Sequence, residues 1–422
     1  MWPLQDEIER HTHLLLAVAI SACMLYALIE AILGFLQRTS QVSRQKVCVV
    51  GVGFVGRELV KVLSSKYAVV GYDVDEERIE ALARVFSLHR HVHFQSSGDG
   101  LAACNLFCIA VPTTSSTSSD GDIAIDVEAL KQACAFVARY AQSGATVVLE
   151  SSVGVGMTRA LLKPLRAKGV FVAFSPERID PGRAIPKVSV IHKILGGFDD
   201  ESRQRAIDWY KPVFDNMVPV SSLETAEMCK MYENCFRLVN IAYVNEVADA
   251  CAAHGIDVAE MIAASATKPF GFMEFHPTLG VGGNCIPENV RYFLEQNRLP
   301  LLQFASMAVA NRPVLKAEEL VRQFPAANRF LVVGIGYKCG QASTANSPGL
   351  AFADELVRLG KRVVLYDNFA LSRRHGMLSP RRWNPQYLDA NFDVICTCHP
   401  LDVNDSAVVH SAKSATVVSF AT

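Results

Sequence analysis

Apolar positions along this chain follow two main rhythms. Short unbroken runs recur: Lys46 to Val50, Tyr67 to Tyr72, Asn105 to Pro112, Ala145 to Leu149 and Val170 to Phe174. The pattern returns at Arg329 to Val333, Lys361 to Tyr366, Phe392 to Thr397 and Ala415 to Phe420. Runs of this length, closed by glycine, proline, serine or an acid, read as strands buried on both faces of a parallel sheet. Between them lie stretches of helical periodicity, at Arg57 to Lys66, Val127 to Tyr140 and Gly349 to Leu359. Strand and helix in alternation predict α/β units. From Glu224 to His254 the rhythm becomes that of one long helix, and 255–325 stays largely helical. Glu227, Lys230 and Asn234 fall along one face of that helix, and Met228, Met231, Cys235, Leu238 and Ala242 lie on adjoining faces. An asparagine in mid-helix has poor propensity, so Asn234 calls for a partner.

A third kind of stretch comes first. Leu14 to Leu36 is apolar except for Glu30, which is long enough to cross a bilayer as a helix. Acidic residues lead it, whereas Arg38, Arg44 and Lys46 follow, so a spanning helix would leave the body in the cytosol. A cleaved signal fits less well, because its leading end should be basic. The other reading is a helix that docks on another subunit or lies along a membrane surface.

Two glycine-rich turns follow apolar strands. Gly51, Val52, Gly53, Phe54, Val55 and Gly56 stand between a strand and a helix, and the next strand ends at Asp73. In this arrangement Gly51 makes the turn, Gly53 admits a pyrophosphate and Gly56 allows helix and strand to pack closely. Asp73 then meets the adenosine ribose and disfavours a 2′-phosphate, which selects NAD. Pro112 and Thr113 close a neighbouring strand at the same edge. Gly334 and Gly336 repeat the turn, with Asp367 as the second acid. The chain therefore reads as two Rossmann-like α/β domains joined by a helical central domain with one long connecting helix. The expected divisions are an extension 1–44, an NAD-binding domain 45–220, a central domain 221–325 and a second nucleotide-type domain 326–422.

The sharpest chemical signal is Leu279 to Asn289, where three glycines precede Cys285 and Pro287 follows it. It reads as a rigid turn that offers a sulfur to a bound molecule. Composition narrows the rest. The net charge of −1 over 422 residues gives no electrostatic case for nucleic acid. Twelve cysteines without regular spacing suggest a reducing compartment, hence a cytoplasmic body. Cys396, Cys398 and His399 lack a second ligand pair at zinc spacing, so no metal is expected. His89 to His93 reads as an exposed alternating segment.

From about residue 45 onwards the chain resembles the UDP-glucose/GDP-mannose dehydrogenase family. The matching pieces come in family order: the Gly51 turn, Val111 to Thr113, Glu150 to Val153, Ser175 to Arg178, and Glu227 with Lys230 and Asn234. Gly282 to Pro287, then Gly334 to Lys338 with Ser347 and Pro348, complete the set. Ser175 to Gly182 and the Cys-Ile-Pro at Cys285 are more similar to the branch acting on UDP-N-acetyl-hexosamines. The resemblance implies oxidation of a sugar C6 alcohol to a carboxylate with two NAD⁺ reduced. It implies Cys285 as nucleophile, Lys230 and Asn234 as oxyanion donors, Glu177 as general base and Ser152 holding the water. Glu177, Arg178, Lys230, Asn234, Gly280, Gly282, Tyr337 and Lys338 are the implied contacts to the nucleotide sugar, in a homodimer or higher homo-oligomer.

There are departures. Asn284 replaces a frequent histidine, Asn289 stands where the family has aspartate, and Ala342 to Asn346 lacks the usual acids and arginine. Two other readings therefore stay open. One is a two-electron 3-hydroxyacid or 6-phosphogluconate-type dehydrogenase, which would have no use for Cys285. The other is an impaired paralogue that binds NAD or nucleotide sugar. If 14–36 crosses a bilayer, the protein will resist alkaline carbonate extraction from membranes and lose that resistance when 1–44 are removed. Full release of the intact chain would leave the docking-helix reading.

Overall fold

A computed structural model of the chain describes residues 43–117, 123–178 and 187–420. The apolar run 14–36 lies outside the described residues. Among those described, no helix is long and apolar enough to cross a membrane.

The first sheet has eight strands: β1 (Ser43–Val50), β2 (Tyr67–Tyr72), β3 (Val92–Gln95), β4 (Leu106–Ile109), β7 (Thr146–Leu149), β8 (Phe171–Phe174), β9 (Lys193–Gly197) and β10 (Met217–Pro219). A small antiparallel hairpin, β5 (Thr114–Thr117) with β6 (Ile123–Asp126), stands apart from it. The order is β10-β9-β8-β7-β4-β1-β2-β3, parallel throughout except where β8 meets β9. The unbroken apolar runs have a physical cause: every residue of β4, β7 and β8 is buried, because both sheet faces are covered. Chain order reverses between β1 and β4, which opens a ligand crevice at the carboxyl ends of those strands.

A second, wholly parallel sheet runs β13-β12-β11-β14-β15, with β11 (Arg329–Val333), β12 (Arg362–Tyr366), β13 (Gly376–Met377), β14 (Val394–Thr397) and β15 (Thr416–Ser419). Between the two sheets lie the long helix Leu223–Ala253, the helix Cys285–Gln296 and the helix Pro300–Gln323. The expected architecture of two Rossmann-like units around a helical middle is the one observed.

Two expectations need correction. His89 to His93 is not simply an exposed stretch: Val92 and His93 begin edge strand β3, paired to β2, and His91 bonds the Ser64 carbonyl at 2.7 Å. A buried valine at the strand start outweighs the polar alternation around it. Cys285 does not sit within the turn, for it is the first residue of a twelve-residue helix. Pro287 falls in that helix's first turn, where its missing N–H is no loss. Cys396 is fully buried in β14, and no cluster of His, Cys, Asp and Glu among the described residues could hold a metal ion.

One carboxylate locks the long helix to the first sheet. Glu227 is completely buried and accepts from the Gly156 N–H at 2.5 Å and the Thr158 N–H at 2.9 Å. Those amides open the helix Met157–Ala167, whose own preceding residue is a glycine with no side chain to cap it. Glu227→Ala would strand two buried amides and cost about 1–3 kcal/mol for each. A fall in the denaturation midpoint with an unchanged m-value will register that loss.

Candidate active site

The first glycine turn divides its work among three positions. Gly51 has φ +86°, and a Cβ there would lie 2.6 Å from the Ala110 carbonyl. A Cβ on Gly56 would fall 1.8 Å from the Gly51 oxygen, so helix and strand touch at that point. Gly53 is different, with open space where its Cβ would be. It also precedes the helix Phe54–Leu63 without a side-chain cap, which leaves the first-turn amides available. Asp73, 7% exposed, accepts from the Val52 N–H at 2.9 Å and pairs with Arg78 at 3.0 Å. Arg78 was not picked out from the sequence, although its place five residues after Asp73 was a usable signal. Thr113 lies beside Ser152, its hydroxyl donating to the Ser152 carbonyl at 2.7 Å. Ser151 ties the two strand ends together through the backbone of Val111.

The second glycine turn is plugged. A Cβ at Gly334 would meet the His399 ring at 2.6 Å, and one at Gly336 the Gln341 carbonyl at 2.4 Å. Asp367 accepts the N–H groups of Ile335, Gly336, Phe369 and Ala370. Burial opposes its charge, yet the His399 contact and these donors bring its pKa down to about 2. Asp367 thus holds its own turn together.

The cysteine region assembles from three elements. Cys285 is exposed at the start of its helix, and Asn284 before it makes no side-chain cap. Asn234 of the long helix reaches the Cys285 carbonyl with its Nδ2 at 3.4 Å, and Asn289 donates to the same oxygen at 2.5 Å. Lys230, one turn before Asn234, donates to the Glu177 carbonyl. Burial holds Lys230 below the usual lysine value, against the opposing pull of Cys285, Glu177 and Glu233. Lys230, Asn234, Cys285 and Glu177 are therefore brought to one place. Arg178, by contrast, is engaged with Glu233 at 2.7 Å and with the His192 carbonyl at 3.0 Å, so its charge is already matched.

The glycine loop before Cys285 is clamped by the C-terminal unit. The Gly283 N–H donates to Ala345 at 2.8 Å, and Asn346, at φ +48°, returns a bond to the Gly283 carbonyl at 2.9 Å. A Cβ on Gly282 would be 2.9 Å from the Tyr337 Cβ, and one on Gly280 3.1 Å from Pro348. Gly280 and Gly282 thus admit the neighbouring domain, with Tyr337 against the loop and Lys338 half-buried beside it. A cleft of about 930 Å³ lies behind this clamp, lined by Val281 and Pro287 but by neither Cys285 nor Lys230.

Comparison with known proteins agrees with this geometry. The NAD binding domain of the UDP-glucose/GDP-mannose dehydrogenase family matches residues 45–214, and the central domain of that family matches 224–311. The chain belongs to the UDP-glucose/GDP-mannose dehydrogenase family. A UDP-N-acetyl-D-mannosamine dehydrogenase of Pyrococcus horikoshii is 30% identical over 77% of this chain and 84% of its own length. The protein CapL of Staphylococcus aureus is 28% identical over 76% and 78%. The solved UDP-D-ManNAc dehydrogenase of Pyrococcus horikoshii superposes with a TM-score of 0.77 at 26% identity, over 89% of this chain and 95% of that one. A UDP-glucose dehydrogenase from Pyrobaculum islandicum shares the fold at TM-score 0.78 and 22% identity, over 90% and 95%.

As a member of this family the chain is an NAD-dependent nucleotide-sugar dehydrogenase. The residues fit that cofactor, since Gly53 leaves an open cradle at an uncapped helix N-terminus and the Asp73 carboxylate borders the same turn through the Val52 N–H. The Asp73–Arg78 pair alters the expected basis of selectivity, because a cation sits 3.0 Å from the carboxylate. In Asp73→Ala that cation is released for a 2′-phosphate. The dehydrogenase should lose about 1.5–3 kcal/mol of NAD⁺ affinity and gain NADP⁺ affinity. Titration of both cofactors checks this, and unchanged discrimination would overturn the role given to Asp73.

Proposed function

We infer that this dehydrogenase oxidises the C6 hydroxymethyl group of a UDP-linked N-acetylhexosamine to the carboxylate, through a thioester on Cys285. The carrying observation is one exposed thiol at an uncapped helix start, with Lys230 and Asn234 brought up from the long helix. The sugar class is supported by the names of the relatives, which act on UDP-N-acetyl-D-mannosamine.

NAD supplies the hydride acceptor in both oxidations. The chain's own residues do the rest. Lys230, depressed by burial, takes up or shares the alcohol proton and then steadies the oxyanion formed at C6, with the Asn234 amide as a second donor. The Cys285 sulfur adds to the aldehyde carbon at the start of its helix, beside Lys230. After the second oxidation Glu177 draws a proton from water held by Ser152, and the thioester opens to the acid. Tyr337 and Lys338 close the nucleotide end of the site, and Gly280 and Gly282 serve it indirectly by letting Pro348 and Tyr337 approach the loop. Arg178 orients the long helix through Glu233 and acts on substrate only indirectly.

The working unit is a homodimer. The long helix leaves Tyr232, Phe236 and Tyr243 exposed, and the helix Pro300–Gln323 leaves Leu301, Phe304, Met307 and Leu315 exposed. Aromatic and aliphatic side chains in that density suit a face shared between copies.

Cys285→Ser will cut acid formation by several orders of magnitude while NAD⁺ binding stays near its original affinity. NADH appearance with a panel of UDP-sugars, followed by product analysis, measures both. Full acid production by the variant would remove the thioester and return attention to two-electron chemistry.

A further inference from the structure

Behind Glu177 lies a buried ionic group for which the oxidation steps have no need. Lys193 opens β9 and is 5% exposed; Glu150, at the end of β7, is 1% exposed. The Lys193 ammonium makes a direct ion pair with Glu150 and stands 3.9 Å from the Glu177 carboxylate. Tyr210, wholly buried, donates to the other Glu150 oxygen at 2.5 Å, with the Cys108 sulfur 3.4 Å from its hydroxyl. The rings of Tyr210 and Phe214 flank the ammonium, at 5.7 and 5.4 Å. Among the described residues, further charges near this group are Lys230 and Glu233 of the long helix, the first bonded to the Glu177 backbone and the second paired with Arg178. Cys285 lies beyond Lys230.

We propose that Lys193 is a positioning residue for thioester hydrolysis: lodged between two buried carboxylates, it holds the Glu177 carboxylate in place as the base. The proposal rests on the reading of Glu177 given above. An ion pair that served only folding would be complete with Glu150 and Lys193. Here the ammonium reaches one carboxylate further, to a residue at the reacting centre. Without it, the nearly buried Glu150 and Glu177 carboxylates would face each other with no cation between them, a like-charge contact that favours protonation of one of the two. A protonated Glu177 accepts nothing from water. Burial raises the Glu150 carboxyl, whereas burial of Lys193 is more than offset by the two carboxylates and its pKa ends raised. Tyr210 adds a neutral donor that leaves the charge count unchanged. In the step served, the water oxygen bonds to the acyl carbon and one of its protons passes to Glu177. The C–S bond breaks, and its electron pair returns to the Cys285 sulfur.

The test separates the oxidations from hydrolysis in the full-length enzyme. First-turnover NADH reports the two oxidations, and steady-state acid formation against pH reports hydrolysis. Lys193→Met should keep first-turnover NADH, lose about tenfold in steady-state rate on the acid side, and move the acid limb up by roughly one pH unit. Lys193→Arg should restore the limb. Glu150→Gln, which leaves the ammonium to Glu177 alone, should move the limb to lower pH, and it decides the matter if Lys193→Met fails to fold. An acid limb unchanged in Lys193→Met, or in Glu150→Gln where only that variant folds, overturns the proposal. Glu177→Gln that hydrolyses at the unmodified rate overturns the base assignment itself, a result distinct from either.

Discussion

The Glu227 carboxylate is the constraint on which the site depends. It reaches from the long helix into the first sheet domain and satisfies two amides that have no other acceptor. A buried acid is costly unless its oxygens are occupied, and both are. Once that residue is fixed, helical geometry places the others. Lys230 comes up three residues later against Glu177, and Asn234 four residues beyond against Cys285. The polar stripe on this helix therefore has a structural anchor at one end and chemistry at the other. Burial still raises the Glu227 carboxyl, the expected mark of a group held by geometry at electrostatic expense.

A second constraint acts from the opposite side. The loop before Cys285 is too rich in glycine to hold its own shape, and the C-terminal unit supplies the missing order. Ala345 and Asn346 bond both backbone groups of Gly283, while Tyr337 and Pro348 occupy the space that side chains at Gly280, Gly282 and Gly283 would have taken. Ser347 completes the link by capping the helix Pro348–Arg358 and donating to the Ile335 carbonyl of the second glycine turn. The C-terminal unit thus helps to fix the loop that leads into Cys285. The second glycine turn differs from the first, since His399 and the Gln341 carbonyl occupy the space beside Gly334 and Gly336.

Much of this was readable before any coordinates, for identifiable reasons. Buried parallel strands leave unbroken apolar runs, and glycines that must admit a phosphate or a strand cannot be replaced, so both leave local marks. The motif residues Lys230, Asn234, Cys285 and Glu177 were singled out together, and they do meet. What was not legible depends on distant pairs. Lys193 looks like an ordinary charged residue before a short strand, because its partners Glu150 and Glu177 are far away in sequence. Arg78 looks like a surface charge on a helix until Asp73 is seen beside it. Arg178 looked available for substrate, and only the structure reveals Glu233 across from it. The helix beginning at Cys285 was hidden by Pro287, whose turn-forming habit also suits a first helical turn.

Asn289 shows how a departure from a family pattern can change meaning once it has neighbours. Read alone, an asparagine in place of an aspartate is the loss of a proton acceptor. In the fold its amide nitrogen donates to the Cys285 carbonyl, and it is 1% exposed. An aspartate at that position could not donate there. Its ionised oxygen would face a carbonyl oxygen across a hydrogen-bond distance in a dry setting, where an unmatched charge is costly. With asparagine, the first helical turn is closed by a neutral donor, and the Asn234 amide shares the same acceptor. The cost is an Asn289 oxygen buried without a partner among the described residues. The mechanism proposed above accordingly asks no proton transfer of residue 289 and gives that duty to Lys230 and Glu177. On that proposal the ionic surroundings of Lys230 and Glu177 carry more weight, which is why the buried Lys193, 3.9 Å from the Glu177 carboxylate, bears on the chemistry.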